Sequence, residues 1–533
     1  MPKPLQDCRT LTFILFSLLF STINLSAQNR PNILVIIADD VGIDAISAYG
    51  LGMNLPSTPN IDALISEGIL FTNAWSYPTC APSRASMLTG RFGNKNGVMQ
   101  SGPNLANNQN TIFEQIETIT NGAYADAVIG KWHLGNDNSP NTQGVDHYIG
   151  SIPCCVPDYN DWERTENGVT NPSTEYVTTH YTDEAIDWLD NQTAPWLLWV
   201  AHNAPHSPFH IPPDSLYTWP QTNGNQNQFM CMIESVDHEV GRLYNSLTQE
   251  QKDSTLIIFV GDNGTPNNVL QEYPNMHGKG TLYEGGIRVP MFVTGYGVTR
   301  MNEQEDALVS FSDIFATVTE LLGTDLQGGI DNSFSFYPLL SDQNAAQKRY
   351  NYSELGTNNT ARAIRNNQYK LIQQSDGSQE FFDLQNDPLE TTDLLINGLS
   401  ADQQIVIEEL ENEADSIFYS WSCNDGIKNG DEAAIDCGGS SCFPCLLDAV
   451  EETTAENETL IFPNPAANYI HVQSKKKLIQ EIKIYDALGQ LVFFKNNINA
   501  FAEKVNLEGL NPQVYIMHLS FGDRLEVHRF VRD

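Results

Sequence analysis

The sequence predicts an α/β protein with a central sheet flanked by helices. Continuous apolar runs are typical of strands buried on both faces, and here they are Asn32–Ile37, Ala127–Gly130, Trp196–Ala201 and Leu256–Val260. An amphipathic helical pattern covers Phe229–Leu247. Each run is followed by charged or polar residues, and ligand groups in α/β sheets gather at the carboxyl ends of strands. The runs therefore predict both the fold class and the edge of the sheet where a site should form.

The first 27 residues have the composition of a secretory signal. Lys3 and Arg9 give a basic start, an apolar stretch covers residues 11–25, and Ser26-Ala27 offers a small-residue cleavage site. The alternative is a membrane anchor, but the apolar stretch is short for a span of about 20 residues. We therefore expect export and no transmembrane segment.

The chain is strongly acidic, with 66 acidic and 28 basic residues among 533 and a formal net charge of −38. Binding to nucleic acid or to an anionic membrane is disfavoured, because phosphate contacts need clustered Lys and Arg. A hydrophobic fraction of 41% is too high for an acidic disordered chain. Residues 455–533 hold nine basic and nine acidic residues, so the net charge belongs to the residues before them. We interpret the acidity as a solubility or saline adaptation, in which case affinity for a polyanion should weaken at low salt.

Two of the apolar runs end in possible metal ligands. Asp39-Asp40 follows the first run, and Asp262-Asn263 follows the fourth. Carboxylate and amide oxygens of this kind suit Ca²⁺ or Mg²⁺. Taken separately, each pair could instead cap a helix or a turn.

Residues 80–90 read Cys-Ala-Pro-Ser-Arg-Ala-Ser-Met-Leu-Thr-Gly. Pro82 suits the first turn of a helix, and Gly90 suits its end. Cys80 would lie at the helix N-terminus, where free N–H groups attract anions, and Arg84 would share its face. A bare thiol there would be a nucleophile of low pKa. The string also resembles the sulfatase signature C-x-P-S-R-x-x-x-L-T-G, in which the cysteine is oxidised to formylglycine (3-oxoalanine).

Cationic groups follow the other two runs. Lys131 and His133 are two residues apart on a segment expected to be extended, so their side chains should face the same side. After the third run, His206 lies between two prolines and is a better candidate than His202. Lys279, in a His-Gly-Lys-Gly string, also resembles the sulfatase family.

The resemblance to formylglycine-dependent sulfatases covers residues 31 to about 420 and implies a sulfatase domain over 28–420. The implied fold is alkaline-phosphatase-like, namely a mixed central sheet flanked by helices, with a small C-terminal antiparallel-sheet subdomain at about 345–420. The family also implies one Ca²⁺, or less favourably Mg²⁺, as cofactor. The implied metal ligands are Asp39, Asp40, Cys80, Asp262 and Asn263.

The implied catalytic residues are Cys80, Arg84, Lys131, His133, His206 and Lys279. In the reaction that the resemblance implies, formylglycine at position 80 hydrates, attacks sulfur, and is oriented by Arg84. Lys131 and Lys279 bind sulfate oxygens, while His206, alone or with Lys279, protonates the departing oxygen. His133 takes a proton from the second hydroxyl of the hydrated formylglycine, which expels sulfate and restores the aldehyde. A formylglycine-generating maturation system is an implied partner.

The cysteines fall into separate groups. Cys154 and Cys155 are adjacent and either pair or stay reduced, while Cys231 lies in the predicted helix and is a core candidate. A Gly- and Asp-rich segment over 421–454 reads as a linker in which four cysteines predict two disulfides, with zinc as the alternative. Those four are Cys423, Cys437, Cys442 and Cys445.

The last part of the chain, 455–533, reads as short strands separated by turn residues, which predicts a small β-sandwich. The expected strands are Tyr469–Val472, Glu481–Tyr485, Gln490–Phe494, Val514–Leu519 and Glu526–Val531. Phe462–Ala466, Tyr485–Val492 and Tyr515 with the basic end resemble the sorting domains of type IX secretion. Gln513 departs from that pattern, because the family usually has Gly there. The alternative is a generic accessory or carbohydrate-binding module.

These features predict a sulfuric ester hydrolase that is exported through the periplasm and outer membrane by the type IX machinery. The expected substrate is a sulfated carbohydrate, such as ulvan or carrageenan or their oligosaccharides, because export suits polymers too large to import. The alternatives are a glycosaminoglycan sulfatase, a phosphonate monoester or phosphodiester hydrolase of the same superfamily, and a non-catalytic polysaccharide-binding protein. The aromatic insert 148–162 and the loop 209–228 are either subsite walls or packing loops.

Overall fold

The computed structural model describes residues 30–324, 332–356, 361–419 and 459–532, the last range with short gaps at 463–465, 467–468, 475–476, 487–490, 497, 508 and 522–524. The predicted signal at 1–27 and the predicted linker at 421–454, with its four cysteines, lie outside the described residues. The chain divides into two compact units, residues 1–445 and 446–533. In the described parts of the chain, no helix combines the length and the apolarity needed to cross a bilayer.

Within the described residues, ten strands form the large sheet of the first unit. They are β1 (Asn32–Ala38), β2 (Gly68–Trp75), β3 (Ala125–Gly130), β4 (His147–Gly150), β5 (Trp162–Glu166), β6 (Val169–Ser173), β7 (Trp196–Ala201), β8 (Thr255–Gly261), β9 (Met291–Gly295) and β10 (Glu303–Ser310). Their order is β10-β2-β9-β8-β1-β7-β3-β4-β5-β6. The central strands β8, β1, β7 and β3 run parallel, whereas β9, β5 and β6 pair antiparallel with their neighbours. The predicted α/β fold with a mixed central sheet is thereby confirmed.

Helices cover the sheet on both sides. The helices of the first unit are α1 (Pro59–Ser66), α2 (Cys80–Thr89), α3 (Gly93–Asn96), α4 (Ile112–Thr120), α5 (Ser139–Thr142), α6 (Val177–Leu189), α7 (Asn225–Ser246), α8 (Gln249–Ser254), α9 (Glu284–Ile287), α10 (Asp313–Leu321) and α11 (Ala401–Tyr419), of which α11 packs on the second sheet described below. The helix predicted from Phe229 begins four residues earlier, at Asn225. Short 3₁₀ turns cover Ile43–Ala45, Ser47–Tyr49, Asp214–Leu216, Tyr337–Leu340 and Leu394–Asn397.

The strand β1 shows why apolar and polar residues do not alternate along the central strands. Ile33, Val35 and Ile37 belong to the hydrophobic core on one face of the sheet. Leu34 and Ile36 belong to the core on the other face. Both sets are buried, because helices cover each face, and the sequence is therefore apolar at every position.

A second sheet of the first unit consists of β11 (Asn351–Leu355), β12 (Ala361–Arg365), β13 (Tyr369–Gln373) and β14 (Gln379–Asp383), all antiparallel. The helix α11 packs on one face through Ile407 and Leu410. The other face contacts Trp75 and Ile287. This sheet is therefore attached to the large sheet through an apolar contact.

The described residues of the second unit form two antiparallel sheets. One has the order β15-β16-β19 and the other β18-β17-β20-β21. The strands are β15 (Thr459–Phe462), β16 (Tyr469–Ser474), β17 (Glu481–Tyr485), β18 (Leu491–Lys495), β19 (Ala502–Asn506), β20 (Gln513–Ser520) and β21 (Leu525–Arg532). All five predicted strands are present within two residues of their predicted ends, whereas β15 and β19 were not predicted.

Candidate active site

The carboxyl ends of the four central parallel strands meet at one edge of the large sheet. Asp39 follows β1, Lys131 follows β3, and Asp262 follows β8. Main-chain hydrogen bonds continue the sheet past the strand ends: Asp39 N donates to Ala204 O (3.2 Å), Lys131 N to Ala201 O (2.8 Å) and Asp262 N to Ala38 O (3.1 Å). The strand order thus brings together side chains that are more than 200 residues apart in sequence.

Helix α2 brings Cys80 to this edge. The helix runs from Cys80 to Thr89 and ends at Gly90, which has a left-handed backbone with φ of 67°, as the motif predicts. A side chain at position 90 would also meet the Phe315 ring, because a Cβ there lies 2.9 Å from Phe315 Cγ. Every residue of the helix is buried.

Arg84 is held by contacts on both sides. Its Nε and Nη2 donate to Asp262 Oδ2 at 3.1 and 2.8 Å, and its Nη1 donates to Lys131 O at 2.9 Å. The side chain is 2% exposed. Arg84 therefore binds together the loops that follow β8 and β3, and its guanidinium has a fixed orientation.

Two lysines pair with the carboxylates that follow β1. Lys131 Nζ contacts Asp39 Oδ2, and Lys279 Nζ lies 2.5 Å from Asp40 Oδ1. Burial raises the pKa of Asp39, but Lys131 and three weaker cationic neighbours outweigh it, so the pKa of Asp39 falls below its usual value. Burial, followed by the charge of Asp39, raises the pKa of Asp262 to about 6, although Arg84 opposes the rise.

Some oxygen atoms of this group have no protein donor. Asp39 Oδ1 and Asn263 Oδ1 are buried without a hydrogen-bond partner. Ligand atoms of Asp39, Cys80 and Asp262 lie within 4.8 Å of one another, and so do those of Asp39, Asp40 and His206. Buried polar atoms are normally satisfied, so convergent unsatisfied oxygens fit a hard cation such as Ca²⁺ or Mg²⁺.

His133 faces the cysteine, with its Nδ1 3.1 Å from Cys80 Sγ. Burial, then the charges of Lys131 and Arg84, lower the pKa of His133 to about 3. The imidazole is therefore neutral at ordinary pH and can accept a proton.

The expectation of an extended segment at His133 is wrong, because His133 has a left-handed backbone with φ of 60°. The His133 side chain nevertheless contacts Cys80, and Lys131 is near enough for its charge to act on the Cys80 thiol. Gly130 before them has φ of 118°, and a Cβ there would lie 2.1 Å from Ala201 O. Only glycine allows this close approach of β3 to β7.

The expectation that an unmodified Cys80 would have a low pKa is also wrong. Burial raises the pKa of the Cys80 thiol, and the nearby Asp39 and Asp262 raise it further against the opposing effect of Lys131 and Lys279. The thiolate needed for nucleophilic attack is thus disfavoured in this pocket.

Of the two histidines after β7, His206 reaches the group. Its Nε2 lies 3.8 Å from Asp40 Oδ2, and its Nδ1 contacts Ser207 O at 2.7 Å. Since a carbonyl only accepts, Nδ1 carries the proton and Nε2 is the free nitrogen. His202 is fully buried, and burial lowers its pKa to about 4. This placement agrees with the preference for His206.

Tyr159 is a positioning residue that the sequence did not identify. Its hydroxyl lies 2.9 Å from Asn203 O and 2.7 Å from His206 O, so it holds the loop that carries His206. Tyr148, Tyr159 and Trp162 of the aromatic insert are at most 2% exposed, which favours packing over a subsite wall for these three rings. The only available signal was the aromatic content of the insert.

Comparison with known proteins agrees with this arrangement. The sulfatase family model matches residues 31–324, the model for the N-sulphoglucosamine sulphohydrolase C-terminal region matches 274–417, and the model for the secretion system C-terminal sorting domain matches 460–532. The N-acetylgalactosamine-6-sulfatase of Homo sapiens is 30% identical over 336 residues, which cover 56% of this chain and 63% of that protein. Arylsulfatase G of Rattus norvegicus is 29% identical, covering 56% and 66%. The chain thus spans about two thirds or less of these relatives.

Solved structures show the same fold. Ps i-CgsB in complex with k-i-k-neocarrahexaose has a TM-score of 0.64 and 26% identity, covering 75% of this chain and 94% of the other. BT4656 in complex with D-glucosamine-2-N,6-O-disulfate has a TM-score of 0.63 at 21% identity, covering 74% and 99%. The sulfatase model matches more than half of the chain, and the sorting-domain model matches its end. The chain therefore belongs to the sulfatase family and ends in a type IX secretion sorting domain, which directs it to export.

Proposed function

We propose that the protein hydrolyses sulfate monoesters on a carbohydrate outside the cell. The observation that carries the proposal is the contact between Cys80 and His133, at 3.1 Å, inside a cluster of carboxylates and cations. Cys80 is in the position of the residue that the family converts to formylglycine, which would supply the attacking oxygen. A buried thiol of raised pKa is a poor nucleophile, which also supports modification.

We further propose that Asp39, Asp40, Asp262 and Asn263, with the modified residue 80, bind one Ca²⁺. The ion would neutralise charge on the sulfate and on the nucleophile. Asp39, Asp40 and Asp262 are formally balanced by Arg84, Lys131 and Lys279. A divalent ion would therefore make the site positive, which suits an anionic substrate despite the net charge of −38.

We assign a separate role in the reaction to each of the lysines and histidines around residue 80. Lys131 and Lys279 lie beside Cys80 and would donate to sulfate oxygens. His206 would act in its doubly protonated form, giving the Nε2 proton to the departing sugar oxygen while its Nδ1 proton stays bound to Ser207 O. His133 is neutral and faces residue 80, so it would take a proton from that residue.

We propose a sulfated algal polysaccharide such as carrageenan or ulvan, or its oligosaccharides, as substrate. The support is the structural similarity to a protein solved with k-i-k-neocarrahexaose, together with the export that the sorting domain directs. A glycosaminoglycan is the second candidate, because the curated relatives include N-acetylgalactosamine-6-sulfatase.

The test is sulfate release from a panel of defined oligosaccharides from carrageenan, ulvan and glycosaminoglycans. An aryl sulfate and an aryl phosphonate are measured in parallel, and mass spectrometry of the tryptic peptide that ends at Arg84 reports the state of Cys80. We expect formylglycine and sulfate release, fastest on an algal oligosaccharide. Faster turnover of the phosphonate, or full activity with an unmodified thiol, would contradict the proposal.

A further inference from the structure

One loop contacts the main chain of both proposed catalytic histidines. The loop follows β4, and its first residues pair with the segment after β3: Trp132 N donates to Ser151 O (2.9 Å) and His133 N donates to Ile152 O (3.0 Å). At the other end of the loop, the Tyr159 hydroxyl contacts His206 O at 2.7 Å. The loop thus spans the distance between the two histidines and is bound at each end.

Cys154 and Cys155 lie between these two anchor points. Both are unpaired thiols and both are partly exposed. The two thiols interact with each other, and the charges of Lys131 and Cys80 are near enough to act on Cys154. Burial, then the interaction with Cys155, raises the pKa of Cys154 to about 11. The pair therefore sits beside the site, whereas Cys231 is fully buried in α7.

We propose that Cys154 and Cys155 oxidise to a vicinal disulfide in the exported protein, and that this bond positions the loop that holds His133 and His206. An exported protein enters oxidising surroundings, where disulfides persist. The oxidant is the disulfide of a thiol oxidoreductase or of a small-molecule thiol. One thiolate of the pair displaces one sulfur of that disulfide, and the second thiolate then displaces the other. The two cysteines lose two electrons and two protons, and the oxidant leaves as two thiols.

The bond should act locally. A cross-link between adjacent residues closes almost no chain, so the loss of unfolded-state entropy that usually stabilises a disulfide-bonded protein is small. Its effect is instead to restrict two partly exposed residues that lie between the hydrogen bonds at the start of the loop and Val156, which packs in the core. We therefore expect a change in turnover with little change in the unfolding temperature.

The first test is mass spectrometry of the full chain recovered after export, with thiols blocked by iodoacetamide under denaturing conditions before any reduction. Trypsin yields the peptide 132–164, which contains Cys154 and Cys155 and no other cysteine. We expect this peptide to be unalkylated and lighter by two hydrogen atoms. Cys231, in the peptide 165–242, is the internal control and should be alkylated. Alkylation of both Cys154 and Cys155 would overturn the proposal, whether or not the protein is a sulfatase.

The second test is kinetic, and it rests on the proposed function. Reduction with a phosphine should lower kcat on an aryl sulfate about threefold to tenfold, because small displacements of catalytic groups are costly. KM should change less than about twofold, because the loop positions groups that act in turnover. The double variant C154S/C155S should already show the lowered kcat and should not respond to the phosphine, which controls for reduction elsewhere in the chain. An oxidised pair whose reduction leaves kcat unchanged would overturn the positioning role.

Discussion

The first unit contains two buried ionic clusters that are similar in composition. They differ in whether protein atoms supply partners for all of their carboxylate oxygens. The site cluster contains Asp39, Asp40, Arg84, Lys131, Asp262 and Lys279. The subdomain cluster contains Glu284, Arg365, Lys370 and Glu390. In both clusters the carboxylates pair with at least as many cations, since Arg288, 4.0 Å from Glu284 Oε2, adds a third cation to the subdomain cluster. Charge balance alone therefore does not distinguish a functional cluster from a structural one.

The difference lies in where the carboxylate oxygens point. Glu284 Oε1 accepts from Trp75 Nε1 at 3.0 Å and from Lys370 Nζ at 3.2 Å, and Glu284 Oε2 lies 3.4 Å from Arg365 Nη1. In the site cluster, by contrast, Asp39 Oδ1 is buried without a donor. Every carboxylate oxygen of the subdomain cluster faces a protein donor or cation, including Glu390 Oε1, which makes no hydrogen bond but lies 2.7 Å from Lys370 Nζ. The site cluster leaves Asp39 Oδ1 without a hydrogen-bond partner and therefore available to the proposed cation.

The largest expected effect is the loss of turnover when the proposed nucleophile is removed. Cys80→Ala should lower kcat/KM on an aryl sulfate at least about 10³-fold, because it removes the proposed nucleophile. Cys231→Ala is the matched control, since it also removes a buried cysteine but lies in α7, and it should keep its activity. Comparable activity in the two variants would contradict the assignment of Cys80.

Metal removal comes next. Dialysis against a chelator should lower activity about 10²-fold or more, because the site loses the positive charge that suits an anionic substrate. It should also lower the unfolding temperature by several degrees, because an ion that binds the folded state stabilises it. Added Ca²⁺ should restore both. Binding of Ca²⁺ to the chelated protein can be measured by calorimetry without substrate. Absence of binding would contradict the proposed metal site.

A substitution in the subdomain cluster should lower stability and leave turnover nearly unchanged, in contrast to a substitution of Cys80. Glu284→Gln leaves Lys370 and Arg365 short of a counter-charge, so the free energy of unfolding should fall by about 3 kcal/mol. The variant that remains folded should keep kcat within about threefold of the original. Chemical denaturation and steady-state kinetics measure the two quantities. A variant that loses turnover while keeping its stability would place Glu284 in the active site.

The smallest effect concerns a buried carboxyl outside both clusters. Burial, followed by the charges of Asp146 and Glu117, raises the pKa of Asp126 to about 7, although the Asp146 N–H donates to it at 2.8 Å. The folded state then holds a proton that the unfolded chain releases near pH 4, so Asp126 reduces stability progressively as pH rises from about 4 to 7.

Asp126→Asn keeps an oxygen that can accept the same N–H but does not titrate. Relative to the original chain, its unfolding temperature should rise by about 2–5 °C between pH 5 and pH 8. Asp161→Asn, at an exposed carboxyl, should show no such trend. A constant difference between Asp126→Asn and the original chain across this range would contradict the raised pKa.

The sequence predicted the central strands and the residues at their ends because those signals are local. A strand buried on both faces must be apolar throughout, and the polar residue that follows it marks its end. The apolar runs also predicted the edge of the sheet where Asp39 and Asp262 lie, but the assignment of these residues as metal ligands depended on the family resemblance. The left-handed His133 and the contact of Tyr159 with the His206 loop could not be predicted, because each depends on packing between segments distant in sequence.

The C-terminal sorting domain also shows that a strand is predictable only when its own residues indicate it. Its predicted strands contain alternating apolar residues, as in the Glu481–Tyr485 strand, where Ile482 and Ile484 are buried. The strand Ala502–Asn506 was missed because Val505 is its only fully buried side chain among otherwise polar or small residues. It is a strand because it pairs with β16, a partner that its own composition does not indicate.

The uniform burial of β1 has a consequence for register. A one-residue slip of an alternating strand exchanges core for solvent, but a slip of β1 would exchange one apolar core for another. The slip would nevertheless carry Asp39 and Asp40 about 3.3 Å along the sheet. The polar residue at the start of the strand prevents it: Asn32 Nδ2 lies 3.4 Å from Thr255 Oγ1, and Asn32 Oδ1 accepts from Trp196 N at 3.2 Å. The alignment of the proposed metal ligands is thus set from the far end of the strand, by a side chain that touches none of them.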